Sequence, residues 1–595
     1  MPTRVVDYVA QRIVDLGVEH VFTLTGGGAM FLNDGVAKHP KLQAVCSHHE
    51  QASAMAAVGY GKYSGKMGVV MPTTGCGSTN TITGLLEAWQ DNLPTFFISG
   101  QVNKEQATHN INLPLRQLGV QEANIIAIVE SLTKYAVMIN DPEMIAYHID
   151  KAVHLAFSGR PGPVWLDIPM DVQGALIEPE KLKRFTPEKE SFVPEVEDLA
   201  AVSRYLAQAE RPVILAGNGI RLAGAQEIFA EFVHLHNIPV VNTYLAADLL
   251  PSNDPLNIGR VGIKGNRAAN FAMQNADVIL AIGTRLGVPV TGYRYELFGR
   301  EAKLIVVDID KFEHQKNTVR IDHLIVADAK EFLLKVGFPP APTPWAQKCL
   351  AWKTKWPVSL PEHFESDEDG ISLYAFMKVL SDSMRPDDVV VSDAGSAFYV
   401  TSQALQVTNK QRYITSGGQA DMGFTLPASI GACVARGNKD VIGITGDGSF
   451  QSNIQELQTI VYNKFPVKIF VWNNNGYLSI RTTQRKFFED RFIGTDEESG
   501  VSFPNFQKIA NAYGIKYFRA SKLKGLKRSI KRVLEYKGPV ICEVMCKKWD
   551  AVLPTIGSKK LPDGRLISRP LEDMLPFLDR EEFYENMVVA PLEEE

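Results

Sequence analysis

The sequence predicts an α/β protein built from three consecutive doubly wound domains with mainly parallel sheets. Three observations point there. Short continuous apolar runs recur along the chain, as strands buried on both faces require, and helix-period segments lie between them. These stretches fall into three blocks, parted by charged or proline-bearing connections. A chain of 595 residues, at roughly 100–200 residues per domain, has room for three or four units. The expected boundaries are residues 1–180, 190–340 and 366–550, followed by a polar tail, 551–595.

In the first block the strand-like runs are Val21–Leu24, Leu42–Ser47, Gly68–Pro72, Thr95–Ser99 and Val164–Ile168. Helical patterns stand between them, as at Val5–Leu16 and Gln51–Tyr63. The charged stretch IEPEKLKRFTPEKESFVPEVED reads as a linker. The second block carries PVILAGNGI, IPVVNTY, DVILAIGTRL and AKLIVVDID. A proline-rich connection, FPPAPTPW, leads through an aromatic helix and the acidic loop ESDEDG to the third block. Its strands are DVVVSDAG, VIGITGDG, VKIFVWN and PVICEVMC.

Composition narrows the classes. With 45% hydrophobic and 22% charged residues the chain can bury large cores. A net charge of −5 without a basic cluster argues against nucleic acid and anionic membrane as partners. The six cysteines, Cys46, Cys76, Cys349, Cys433, Cys542 and Cys546, show no zinc-type spacing. No signal-peptide pattern opens the chain, and no apolar run reaches the roughly 18 residues of a membrane span. A cytoplasmic location with reduced thiols is expected.

The most informative stretch is Val441 to Gln484. The apolar run Val441–Thr445 reads as a buried strand ending in the sharp turn Gly446-Asp447-Gly448, where backbone N–H groups can approach an anion. Ser452–Tyr462 fits a helix, and a second buried strand, Lys468–Trp472, delivers Asn473-Asn474-Asn475-Gly476. Asp447 and Asn474 therefore fall at the carboxyl ends of consecutive strands, the rim where open α/β sheets bind ligands. Asp447 offers a carboxylate oxygen, Asn474 an amide oxygen and Gly476 a backbone carbonyl. With two diphosphate oxygens and a water, this set completes a Mg²⁺ octahedron.

Further motifs precede it. His48-His49-Glu50-Gln51 opens a helix, where a glutamate complements the helix dipole. The run Thr73-Thr74-Gly75-Cys76-Gly77-Ser78-Thr79-Asn80 is a glycine-rich strand-to-helix turn. Arg116–Glu122 and GRPGPVWLDIPMDVQ, Gly159 to Gln173, follow. SGGQADMGFTLPASIGA, Ser416 to Ala432, is another block of the same kind.

Taken together in this order, these motifs resemble the thiamin diphosphate-dependent enzymes, above all the acetolactate synthases, across nearly the whole chain. The resemblance implies that the first unit binds the cofactor's pyrimidine, that the third binds its diphosphate and Mg²⁺, and that the middle one is the family's central domain. Glu50 matches the glutamate that hydrogen-bonds N1′ of the aminopyrimidine. Gln121 matches a glutamine near the substrate. Met422 matches the apolar residue that props the bent cofactor, and Ala420 the carbonyl that receives its 4′-amino group. Gly75 belongs to the pyrimidine side, while Asp393, Gly395, Ser396, Gly446, Gly448, Ser449 and Asn474 match diphosphate-side positions. The cofactor accepts the electrons released as CO₂ leaves a 2-oxo acid. The resemblance also implies a homodimer or homotetramer, since the two cofactor halves come from different chains in the family.

The pattern departs from the family in several places. Arg285-Leu286-Gly287-Val288-Pro289 stands where acetolactate synthases carry an Arg-Phe-Asp-Asp-Arg-type run, so FAD is expected to be absent or weakly bound. Met170 replaces a usual lysine, Thr483 a usual tryptophan and Ser396-Ala397 a usual Gln-His. Met170, Thr483 and His109 are the candidate residues of an acceptor channel, and the tail, with Arg569 and Asp573, is a candidate lid.

The reading is a thiamin diphosphate- and Mg²⁺-dependent decarboxylase/carboligase that adds a pyruvate-derived enamine to a second carbonyl. A first alternative is transfer of an acetyl unit to a bulky carbonyl, such as a nucleotide-linked keto sugar in surface-glycan biosynthesis. A second is a non-catalytic binding protein on the same fold, which the presence of Glu50, Asp447 and Asn474 opposes. A third is an NAD-dependent oxidoreductase using the middle unit, whose Gly217-Asn218-Gly219 turn lacks a full G-x-G-x-x-G.

Overall fold

The computed structural model describes residues 2–188, 190–408, 410–560 and 565–592, with the side chains of 559, 560 and 566 outside that description. Residues 561–564 and 593–595 of the expected tail thus lie outside the described residues.

Three six-stranded sheets, each parallel throughout, account for the architecture. The first holds β1 (His20–Thr23), β2 (Gln43–Cys46), β3 (Gly68–Met71), β4 (Thr95–Gln101), β5 (Tyr135–Met138) and β6 (Val164–Pro169), in the order β2-β1-β3-β4-β6-β5. The second holds β7 (Pro212–Ala216), β8 (Val240–Asn242), β9 (Asn257–Arg260), β10 (Val278–Ile282), β11 (Lys303–Asp308) and β12 (His323–Val326), in the order β9-β8-β7-β10-β11-β12. The third holds β13 (Val389–Ser392), β14 (Arg412–Thr415), β15 (Val441–Gly446), β16 (Val467–Asn473), β17 (Lys516–Ala520) and β18 (Val540–Met545), in the order β14-β13-β15-β16-β18-β17. The first and third sheets share one topology. The middle sheet has the order of a dinucleotide-binding fold, with its switch point between β7 and β10.

The interior strands are those whose apolar runs stand out in the sequence, because helices cover both their faces. The apolar-run reading misses five strands: β5, β9, β12, β14 and β17. All five are edge strands. These edge strands carry polar residues that break the apolar run, such as Asn257 and Arg260 in the fully buried β9 or Lys516 and Arg519 in the half-exposed β17. The helix expected over Ser452–Tyr462 also differs. A 3₁₀ segment runs from Ser449 to Asn453, and the α-helix covers only Glu456–Tyr462.

The first and third units share one hydrophobic core, which runs from Phe22 and Met55 to Phe424, Ala428 and Val471. At its centre the Glu50–Ser64 helix crosses the Thr425–Ala435 helix. Both are rich in small residues. A Cβ on Gly59 would lie 2.4 Å from the Ala428 carbonyl oxygen, and one on Gly431 would lie 1.8 Å from that of Ala56. Only glycine lets the two backbones approach this closely.

The tail, expected to be poor in structure, docks on the middle unit. Thr555–Ile556 pairs with Met574–Leu575, Ser558–Lys560 pairs with Leu566–Ser568, and Arg580–Asn586 is a helix. Asn270 Nδ2 donates to the Leu571 carbonyl at 2.9 Å, and Arg300 pairs with Glu572 at 2.6 Å. Phe583 packs edge-on against Phe271. No helix among the described residues is long and apolar enough to cross a membrane.

Candidate functional site

The carboxyl ends of β15 and β16 lie side by side, with Gly446 opposite Trp472. The ladder carries on past the strands through Asp447 N–H to the Trp472 carbonyl at 3.1 Å. This puts Asp447 against the 473–476 turn. Its Oδ2 accepts the N–H groups of Asn474, at 3.1 Å, and Gly476, at 3.0 Å, while Oδ1 accepts Gly448 N–H at 2.8 Å. Burial pushes the Asp447 carboxyl up to about 6, although the three N–H donors and Arg481 pull it back.

The turn itself is tightly built. Asn475 is left-handed, with φ +56°, and Gly476 has φ +145°. A Cβ on Gly476 would sit 2.2 Å from the Thr495 carbonyl oxygen, so this position requires glycine. The sequence reading misses Arg481, which is fully buried and donates to the carbonyls of Asn474, at 3.1 Å, and Asn475, at 2.9 Å. Nothing in a single arginine within an amphipathic helix pattern would have signalled this bond.

Two buried atoms in this cluster are left over, Arg481 Nε and Asn474 Oδ1, and only the second can accept or ligate. Asn474 Oδ1 is buried and has no hydrogen-bond partner, while the carbonyls of Asn474 and Asn475 are taken by Arg481. A buried unpartnered amide oxygen is costly unless a ligand meets it. Among the described residues no group of three or more His, Cys, Asp or Glu side chains could hold a metal. The set at this turn is different: one carboxylate, one amide oxygen and one backbone carbonyl. Hard cations with few protein ligands, Mg²⁺ foremost, take such sets together with phosphate oxygens, so the residues fit that group.

The neighbouring strand β13 delivers Asp393, which is fully buried. Its carboxylate accepts Thr445 Oγ1 at 2.8 Å, Ser449 Oγ at 2.6 Å and Ala394 N–H at 2.7 Å. Asp393 is thus spent on internal donors and fixes Ser449. Ser449 Oγ in turn accepts Gly423 N–H at 2.8 Å. Gly395, with φ +57°, starts the ten-residue helix Gly395–Ala404, with Ser396 beside it. A buried hydroxyl without a partner, Ser479 Oγ, lies 3.4 Å from where a Cβ on Gly395 would be. Gly448 is covered by Tyr477, whose ring would meet a Cβ there at 2.1 Å. Gly446 has open space at that point.

The loop before the Thr425–Ala435 helix presents Ala420 and Met422. Ala420 has φ +52°, an uncommon conformation for a non-glycine residue. Met422 is 38% exposed, so it is not a core methionine.

On the first unit, Glu50 is buried at the first turn of its helix, which His49 caps through Nδ1 accepting Gln51 N–H at 3.1 Å. Asn80 Nδ2 donates to Glu50 Oε2 at 2.9 Å, and Gly77 leaves room beside Oε1, which a Cβ would approach to 3.3 Å. Gly75 has φ +61°, and a Cβ there would fall 1.7 Å from the Gln121 carbonyl oxygen. Gln121, itself at φ +58°, is exposed and meets Gly75 through its backbone. Met170 follows β6, and His109 lies on the loop after the adjacent β4. Met170 is half-buried and His109 exposed, with its Nδ1 3.0 Å from Asn124 Oδ1. Thr483 is exposed on the Leu478–Phe488 helix of the third unit. Arg569 and Asp573 pair with each other at 2.5 Å on the tail.

Two half-sites result, one on each unit, and the shared core joins those units. A direct polar link runs from His48 N–H to Glu456 Oε1 at 3.0 Å. Separately, a cavity of about 630 Å³ opens at the switch point of the middle sheet, lined by Asn218, Gly219, Gly283, Arg285, Asp308 and, from the first unit, Arg160.

Three family models match the chain in order. They are the thiamine pyrophosphate enzyme N-terminal TPP binding domain over residues 3–128, the central domain over 199–336 and the C-terminal TPP binding domain over 393–544. The acetolactate synthase large subunit of Lactococcus lactis is 33% identical over 569 residues, which cover 93% of this chain and 94% of that protein. The acetolactate synthase isozyme 2 large subunit of Escherichia coli is 32% identical, covering 95% of this chain and 99% of its own. Acetolactate synthase 3, chloroplastic, of Brassica napus is 32% identical, with coverages of 94% and 86%.

Proposed function

This chain belongs to the thiamine pyrophosphate (thiamin diphosphate) enzymes of acetolactate-synthase-like type, and from that membership we propose that it decarboxylates a 2-oxo acid and joins the product to a second carbonyl, with Mg²⁺ at Asp447. The observation that carries the Mg²⁺ assignment is the buried, unpartnered Asn474 Oδ1 beside Asp447 and Gly476.

In this reading Asp447, Asn474 Oδ1 and the Gly476 carbonyl hold the metal, and Arg481 keeps their turn in place. Gly395 and Ser396 offer donors to the diphosphate at the N-terminus of the Gly395–Ala404 helix, and the Gly448-Ser449 turn, tied to the same segment through Asp393, completes that side. Bound thiamin diphosphate supplies the electron sink that lets CO₂ leave a 2-oxo acid. Glu50 is oriented by Asn80 and holds or passes a proton at the pyrimidine. The Ala420 carbonyl accepts the amino group, and Met422 offers an apolar prop. Gln121 and His109 lie on the substrate side of the first half-site, and Met170 and Thr483 line the path of the second carbonyl.

A homodimer belongs to the same proposal. Apolar side chains stay exposed beside both half-sites: Leu113, Leu118 and Val120 near Gln121, and Ile480, Phe488 and Ile493 near Thr483. A second copy would cover them. So does a cytoplasmic location, in keeping with the free Cys46 and Cys76 thiols, both exposed. FAD is expected to be absent or weakly held in the central cavity.

The test is product analysis. The pure protein, given thiamin diphosphate, Mg²⁺ and pyruvate, should release CO₂ and form a carboligation product seen by mass spectrometry. Absence of CO₂ release from pyruvate and from other 2-oxo acids would overturn the reading.

A further inference from the structure

Lys62 closes the far end of the Glu50–Ser64 helix and is almost wholly buried. Its ammonium donates to Glu87 Oε1 at 2.8 Å, Asp91 Oδ2 at 2.7 Å and the Thr415 carbonyl at 2.5 Å, so all three N–H bonds are used. Glu87 and Asp91 come from the first unit and Thr415 from the third. The same boundary ties down the segment after β14. Gly417 N–H donates to Asp91 Oδ2 at 3.0 Å, and Gln419 Nε2 donates to the Thr83 carbonyl at 3.2 Å. Ser416 Oγ donates to Asp421, and the Phe424 ring lies 5.1 Å from the ammonium.

Three carboxyl groups, Glu87, Asp91 and Asp421, thus face one ammonium. Each keeps one oxygen that is buried and without a hydrogen-bond partner: Glu87 Oε2, Asp91 Oδ1 and Asp421 Oδ2. With all three ionised, the cluster would carry two uncompensated charges among largely buried side chains, which is a costly arrangement. A proton on one carboxyl removes a charge and supplies a donor for a neighbouring orphan oxygen.

We propose that Lys62, Glu87, Asp91 and Asp421 form a clamp between the first and third units that positions the 415–423 segment, and with it Ala420 and Met422, and that the clamp is fully set only while a carboxyl in it carries a proton. Lys62 is then a positioning residue that acts through the loop and touches no substrate. Asp421 is the group whose state varies. Burial first, then the charge of Asp91, pushes its carboxyl up to about 6, while Ser416 and Lys62 pull it back. Glu87 is raised well above the usual range by burial first, while Lys62 pulls it back and the charges of Asp421 and Asp91 add to the rise. The inference rests on the proposed roles of Ala420 and Met422 at the cofactor.

The test is thiamin diphosphate affinity with Mg²⁺, measured by calorimetry on the full chain at pH values on either side of 6. The proteins are wild type, Asp421→Asn, Lys62→Arg and Lys62→Met. Asparagine mimics the protonated carboxyl, so wild type and Asp421→Asn should bind alike below pH 6. Above it, wild type should weaken relative to Asp421→Asn by up to on the order of tenfold per pH unit. Titrations common to both proteins cancel in that ratio. Lys62→Met should bind at least about tenfold more weakly than Lys62→Arg at equal helical content. A ratio that does not change with pH overturns the proton's role, and wild-type affinity in Lys62→Met overturns the clamp. Should Lys62→Met fail to fold, the Asp421→Asn ratio decides alone. Failure of wild type to bind at any pH would overturn the cofactor reading beneath it.

Discussion

Asn80 Nδ2 donates to Glu50 Oε2 at 2.9 Å, joining the first helical turn after β2 to the glycine-rich turn after β3. The bond is made by Oε2, and Oε1 of this buried carboxylate lies beside Gly77, where a Cβ would crowd Thr73 at 2.6 Å and Oε1 at 3.3 Å. This side chain is thus oriented at one oxygen and available at the other. Glu50→Gln should therefore keep cofactor binding but slow proton exchange at the thiazolium C2 by roughly 10²–10⁴-fold, the usual worth of a general acid–base group. Quenched-flow NMR measures that rate, and an unchanged value would remove Glu50 from the chemistry.

Asp447 makes three backbone hydrogen bonds in addition to its proposed metal contact. Asp447→Ala should abolish Mg²⁺-dependent binding of thiamin diphosphate. The strand ladder around it stays intact, so the fold should survive. Calorimetry with wild-type affinity in this variant would defeat the metal assignment.

Gly431 touches Ala56 across the helix crossing that unites the first and third units. In Gly431→Ala the new methyl would fall 1.8 Å from a backbone oxygen, and a backbone cannot move aside as a flexible side chain does. The expected cost is about 1–3 kcal/mol or more of stability, as for an overpacked core. Thermal unfolding tests it: an unchanged midpoint would mean that the crossing is looser than described.

The turn Arg285-Leu286-Gly287-Val288-Pro289 borders the central cavity with a single charged side chain. Purified protein should therefore carry no stoichiometric flavin. A yellow preparation with one FAD per chain in its absorption spectrum would show that other residues, Arg160 or Asp308 for instance, suffice to hold it.

Thr483 is exposed on the Leu478–Phe488 helix beside Ile480. Thr483→Trp adds a ring that can bury 150–250 Å² in general. If this position lines the acceptor path, kcat/KM for bulky aldehydes should fall far more than that for pyruvate as acceptor. Equal effects on both would take Thr483 out of the channel.

The sequence alone determined the layered α/β class, the interior strands and the Asp447–Asn474 pair. The reason is local: an interior parallel strand is apolar along its whole length, and two consecutive strands that lie adjacent carry their ends to one rim. Gly75, Glu50 and the 415–423 segment were legible as motifs for the same reason, each being one continuous run. Tertiary structure alone decided five of the six edge strands, whose polar residues hide them, and the docking of the tail on the middle unit. It alone paired Arg481 with the Asn474 carbonyl, spent the Asp393 carboxylate on Ser449 and Thr445, and gathered Glu87, Asp91 and Asp421 around Lys62. Asp421 and Thr415 lie more than three hundred positions from Lys62, Glu87 and Asp91 in the chain. Their charges read singly as ordinary helix and loop residues, and only burial in one small volume makes them costly together.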